Sequence, residues 1–95
     1  MAIKVIIRRN VPAEAREDVY PLFIKLRELA VKQDGYISGE TLRNFDDPND
    51  YIVISTWRSL DDWKAWEMNP ERNALQNNID MLIGIKTEYR VYHYA

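Results

Sequence analysis

Cysteine is absent from the chain, and histidine occurs once, at His93. The first absence excludes disulfides, thiolate metal sites and a thiol nucleophile. No His, Asp and Glu residues stand at metal-ligand spacing. Only three glycines occur in 95 residues, and no glycine-rich loop is present to cradle a phosphate. Neither sign of charge dominates: 13 Lys and Arg face 15 Asp and Glu, for a net charge of −2. No global attraction to nucleic acid or to an anionic membrane is therefore expected, and Arg8-Arg9 alone makes no nucleic-acid patch. No apolar run is long enough to span a bilayer, and the alternating start from Met1 to Asn10 is unlike a signal peptide. A cytoplasmic location is the expectation that remains. The acidic pairs Asp46-Asp47 and Asp61-Asp62 fall in a turn and at a helix start, not where they could share acid–base work.

What is abundant is aromatic surface. Three Trp, six Tyr and two Phe make up 12% of the residues, and such rings line flat apolar pockets well. Hydrophobic (46%) and charged (29%) fractions are those of a globular domain, and the length predicts one domain over residues 1–95. A chain this short buries only about 60–70% of its unfolded surface, so a partner subunit would help it.

The residues from Ala2 to Arg9 alternate, with Ile3, Val5 and Ile7 on one face, which predicts a strand. Val19, Leu22, Phe23, Leu26, Leu29 and Ala30 then follow helical spacing. Pro21 requires that this helix begin near Asp18 or kink there. Asp34-Gly35 stops it, with glycine in the left-handed position. Strands over Tyr36 to Phe45 and Tyr51 to Trp57 flank Asp46-Asp47-Pro48-Asn49-Asp50, a hairpin turn. In the second of these, Ile52 and Ile54 face one way and Tyr51, Val53 and Trp57 the other. Both faces are apolar, so both should be covered. Ser59-Leu60-Asp61-Asp62 has capping-box spacing for a helix carrying Trp63 and Trp66, Asn69-Pro70 starts another that ends near Gly84, and Lys86 to Tyr94 reads as a last strand. The order βαββαβ predicts an α+β, ferredoxin-like plait, a four-stranded antiparallel sheet with helices on one face.

Asp34-Gly35-Tyr36-Ile37-Ser38, Leu42-Arg43, the Asp46-Asp47-Pro48-Asn49 turn, Tyr51 to Trp57, Ser59 and Trp66, in this order and spacing, resemble the antibiotic biosynthesis monooxygenase (ABM) family, within the dimeric α/β-barrel group. The resemblance implies a homodimer whose sheets face each other, with a pocket in each subunit between sheet and helices. It also implies an enzyme that oxidises a small hydrophobic or aromatic molecule with molecular oxygen and without a cofactor. Haem-degrading relatives use an Asn after the first strand, a Trp in the second helical region and a His on the following helix. Asn10 and Trp66 match the first two. The third falls at Gln76, and a neutral amide is a poor axial donor to iron, which disfavours haem.

The candidate catalytic residues are Asn10, Trp66 and His93. Asn10 and Trp66 would donate hydrogen bonds to a developing oxyanion, and His93 has the side chain whose ordinary pKa suits proton transfer near neutrality. Trp63, Trp57, Arg43 and Phe23 are candidates for substrate binding. Each has a structural alternative: the tryptophans as core, Asn10 as a turn residue, His93 as a solvated terminal group. A non-catalytic dimeric binding or interaction domain is the competing reading. An apolar cavity beside Asn10 and Trp66 would favour the enzyme, and a filled core there the module.

Overall fold

The computed structural model describes residues 1–95. Strand β1 (Ile3–Asn10) leads through a short 3-10 turn (Ala13–Ala15) into helix α1 (Arg16–Ala30). Strands β2 (Tyr36–Arg43) and β3 (Asp50–Trp57) form the hairpin. Helices α2 (Leu60–Glu67) and α3 (Pro70–Ile83) precede strand β4 (Glu88–His93). The strands form one antiparallel sheet in the order β2-β3-β1-β4, the α+β plait that the element order predicts.

Local chemistry explains most boundaries. Ser59 accepts from the Asp62 backbone N–H at 3.2 Å while its hydroxyl donates to the Asp62 carboxylate at 2.8 Å, closing the N-terminus of α2. Asn69 accepts from the backbone N–H groups of Glu71 and Arg72 at the start of α3. Gly35 has φ of +81°, and a Cβ there would strike the Asp62 side chain, so two independent constraints call for glycine. Four expectations shift. Helix α1 ends at Ala30, ahead of Asp34-Gly35, and β4 spans Glu88–His93 rather than Lys86 to Tyr94. Helix α1 starts at Arg16 and runs on through Pro21, because Pro21 and Glu17, whose carbonyl it leaves without an N–H, are both exposed to water. Strand β2 ends at Arg43, since Asn44 and Asp47 turn the chain by accepting from the N–H groups of Asp46 and Asn49.

The helices cover one sheet face, here called inner. Ile3, Val5, Ile7 and Arg9 of β1 point there, in register with Trp57, Ser55, Val53 and Tyr51 of β3. One buried cluster gathers Ile3, Val5, Trp57, Trp63 and Trp66, and a second gathers Val11, Ala15, Val19, Ile79 and Ile83. The outer face carries Ile6, Ile52 and Ile54 with no helix over them. No helix is long and apolar enough to cross a membrane.

Candidate functional site

Between α1 and the β1-β3-β2 part of the inner face lies a partly open cavity of about 250 Å³, lined mainly by apolar side chains. Its wall follows the inward row of β3, namely Tyr51, Val53, Ser55 and Trp57, because alternate residues of a strand share a face. Helix α1 contributes Phe23, Leu26 and Ala30 from above, and α2 brings Trp63 and Trp66. The aromatic rings hold one another. Trp57 meets Tyr36 edge-on at 5.4 Å and Trp63 at 5.8 Å, and stacks with Trp66 at 6.4 Å. The Trp57 indole N–H is committed to Ser55 Oγ at 3.1 Å. Gly39 leaves room for the Tyr36 hydroxyl, which a Cβ would meet at 2.6 Å.

Phe23, Trp57, Trp63 and Trp66 thus come together around one cavity. The three tryptophans are at the same time core, at 5% exposure or less; packing and pocket are here the same wall. Asn10, Arg43 and His93 are not in that wall, and each for a reason of geometry. Asn10 follows Arg9 on β1, so its side chain alternates to the outer face, where it lies exposed in a polar depression with Arg8, Asp50 and Glu88. Arg43 pairs with Tyr51 in the sheet register and reaches the cavity only through it, its guanidinium 3.4 Å from the Tyr51 hydroxyl. His93 pairs with Ile3 on the edge strand β4, across β1 from the cavity. It is exposed, with Nδ1 3.0 Å from the Tyr94 carbonyl.

Arg9 is the functional candidate absent from the set expected from the sequence, and Gln76, considered there only as a haem-ligand position, is its partner. Arg9 lines the cavity and is 6% exposed. Its Nη2 donates to Gln76 Oε1 at 3.0 Å, and its guanidinium lies 5.1 Å from the Phe23 ring centre. The signal is present in the chain: in the alternation of β1, Arg9 shares the face of Ile3, Val5 and Ile7, and a charge on an otherwise apolar face marks a special position. Gln76 donates onward to Asp80 at 2.8 Å and Thr87 at 2.9 Å, so both its polar atoms are engaged.

Burial lowers the Arg9 pKa from its ordinary value, yet a guanidinium remains protonated. Burial likewise raises that of Tyr89, whose hydroxyl has no partner. Tyr89 packs against Trp63 at 6.0 Å and beneath the Arg72 guanidinium at 5.2 Å. The hydroxyl of the cavity residue Tyr51 is 2.6 Å from that of Tyr20. The hydrogen bond to Tyr51 raises the Tyr20 pKa. Burial alone would raise Tyr51, but hydrogen bonds from Tyr20 and Arg43 outweigh it and lower it. No three His, Cys, Asp or Glu side chains come together as a metal cluster.

The fold is that of solved structures. A conserved protein from Methanosarcina mazei Go1 superposes with a TM-score of 0.92 at 17% identity, covering 100% of this chain and 94% of that one. SnoaB, a cofactor-independent oxygenase from Streptomyces nogalater, gives a TM-score of 0.86 at 18% identity over 99% and 93% of the two chains. Rv0793 from Mycobacterium tuberculosis gives 0.87 at 16% over 100% and 96%. At these identities the likeness is one of fold. Among curated proteins none matches. The sequence itself carries the family, since the profile of the Antibiotic biosynthesis monooxygenase (ABM) family matches residues 2–78. The chain belongs to the antibiotic biosynthesis monooxygenase family.

Proposed function

We propose that the chain is a cofactor-independent monooxygenase acting on a small, flat aromatic molecule held between α1 and the inner face of the sheet. The observation that carries this reading is the cavity, about 250 Å³ in volume and walled by Phe23, Tyr36, Trp57, Trp63 and Trp66. Ligand sites are usually apolar clefts of roughly 300–1,000 Å³ with a few placed polar groups, so this one suits a few fused rings rather than a large metabolite. The chemistry asks little of the protein. An acidic methylene between aryl or carbonyl groups loses a proton, and the resulting carbanion reduces oxygen directly. One oxygen atom stays on carbon as a carbonyl, and the other leaves as water with the two hydrogens of the methylene. The substrate therefore supplies every electron. The site contributes an orienting aromatic wall, in which Trp66 fixes the ring plane, and partial exclusion of water. The description of the structurally similar SnoaB as a cofactor-independent oxygenase supports the reading. Haem does not fit as well, because Gln76, at the position where haem-degrading relatives carry histidine, has both polar atoms engaged by Arg9, Asp80 and Thr87.

Oxygen uptake with a panel of anthrones and other aryl-activated methylene compounds tests this. Uptake above buffer is expected on at least one compound. Trp66→Phe should raise KM several-fold, and Asn10→Ala should change nothing, because Asn10 lies outside the cavity. Buffer-level uptake on every compound would hand the case to the non-catalytic binding or interaction module.

The same reading includes a homodimer joined through the outer sheet faces. Ile6, Ile52 and Ile54 form an apolar row there without a helix over it, flanked by Leu42 and Tyr92 at 45% and 48% exposure. Light scattering should give about twice the chain mass of 11.3 kDa, and Ile54→Glu should halve it. A monomeric wild type would rule the dimer out.

A further inference from the structure

Arg9 is a buried cation without a counter-ion. Both ion pairs of the protein lie elsewhere, at Arg8–Asp50 and Arg58–Asp62. The partners of Arg9 are neutral, the Gln76 amide oxygen and the face of Phe23, and its buried Nε has no hydrogen-bond partner. The carboxylate closest to this network, on Asp80, is one side chain further on, held by Gln76 and by Thr87. An unpaired charge inside a protein costs several kcal/mol even after relaxation. A leucine in its place would continue the apolar face of Ile3, Val5 and Ile7 without that cost. Packing therefore does not account for an arginine at this position, and Arg9 borders the cavity rather than solid core.

We propose that the cavity binds a flat aromatic oxyanion, its ring over the half-buried side chains of Ile7, Val53 and Phe23 and its ionised oxygen on the Arg9 guanidinium. The inference rests on the reading that the cavity holds the substrate, and it names the class. The β1–β3 register gives the cavity two unlike ends: Trp57 at one, Arg9 and Tyr51 at the other, with Ile7 and Val53 between. A ligand with an apolar ring and one anionic edge matches that polarity. The surrounding charges favour the anion. Arg9 of β1, Arg72 of α3 and Arg27 of α1 stand against Asp80 of α3 and Glu40 of β2, with the neutral phenol of Tyr89 on β4. In the oxygenation, the same contact would hold the substrate as phenolate or enolate, the form that gives its electrons to oxygen.

The test uses ligands that do not react with oxygen, so it is independent of turnover. Binding of 2-naphthoate and of its neutral near-isostere 2-naphthamide is measured by calorimetry on the wild-type protein. The anion should bind on the order of tenfold tighter, the effect of one hydrogen bond to a charged group in a sheltered site. Arg9→Met should erase that preference, lowering naphthoate affinity more than naphthamide affinity. A second readout needs no variant. A nitronaphthol that colours on ionisation should have its acid midpoint lowered by about one unit when bound, which is the same tenfold preference. Preference for naphthoate without a dye shift assigns the site to aryl carboxylates, and a dye shift alone assigns it to phenolates; either supports an aromatic oxyanion. Equal binding of the two naphthalenes with an unshifted dye would overturn the proposal and leave the oxygenase reading intact. A preference surviving in Arg9→Met would overturn it also. Failure of every aromatic to bind would remove both readings together.

Discussion

The two ends of helix α1 meet the rest of the molecule in different ways. At its start Val19, with Ala15 and Val11 just before it, closes against Ile79 and Ile83 of α3, and Val11, Val19 and Ile79 are all at 0% exposure. Further along, Phe23, Leu26 and Ala30 stand over the sheet and leave a gap above Val53 and Trp57. Both ends are apolar, so hydrophobicity does not make the difference. Shape does. Small aliphatic side chains interdigitate until no void remains. The Trp57 indole, propped edge-on against the Tyr36 ring at 5.4 Å and the Trp63 ring at 5.8 Å between centres, keeps a fixed spacing that α1 does not fill. One end is closed, and the other leaves a cavity.

The largest test of this comparison places the same substitution at both ends. Ile79→Ala removes a fully buried side chain from the closed cluster and should lower unfolding free energy by about 3 kcal/mol. Ile24→Ala, on the cavity side of α1 and 61% exposed, should lower it by less than about 1 kcal/mol, partly offset by the better helix propensity of alanine. Urea denaturation measures both, and equal losses would show that the two ends are packed alike.

Filling the gap is the next largest. Val53→Phe adds a ring to the cavity floor. Stability should change by no more than about 1.5 kcal/mol, because the ring enters space rather than packed atoms, while affinity for 2-naphthamide should fall at least about tenfold. Unaltered affinity would place the ligand elsewhere.

The smallest effect lies outside both ends. Arg58, bonded to Asp62 at 2.9 Å, together with the Ser59 hydroxyl, holds the Asp62 carboxyl below its ordinary value of 3.8. A depressed native pKa contributes stability that is present above the unfolded value and lost as pH falls through the native one. Wild type should therefore exceed Asp62→Asn slightly in Tm above about pH 4, and the difference should shrink toward pH 2. A difference that grows on acidification would reverse the assignment. Because the pair is exposed on its arginine side, 1 M salt should reduce it as well.

Much of the architecture was legible in the chain because its signals are local. Alternation in β1, the caps at Ser59 and Asn69 and the positive φ at Gly35 each depend on residues a few positions apart, and the backbone obeys them wherever they sit. The inward placement of Phe23, Trp57, Trp63 and Trp66 was legible too, since aromatic residues on a sheet-facing helix and at a strand end have few places to go. Asn10 stands one residue beyond the cavity row. In a strand, one position is the difference between the two faces, and the same alternation that puts Arg9 under α1 turns Asn10 outward.

What the sequence by itself determined is the order of elements, most of their boundaries within a residue or two, and the apolar character of both sheet faces. Only the tertiary structure decided that the Trp wall bounds a void, that Arg9 is buried without a counter-ion, and that Gln76 joins it to Asp80 and Thr87. The physical reason is range. Arg9 and Gln76 are 67 positions apart, and whether their side chains meet, or a gap stays open between α1 and β3, depends on how whole elements fit in three dimensions. No spacing along the chain encodes that fit.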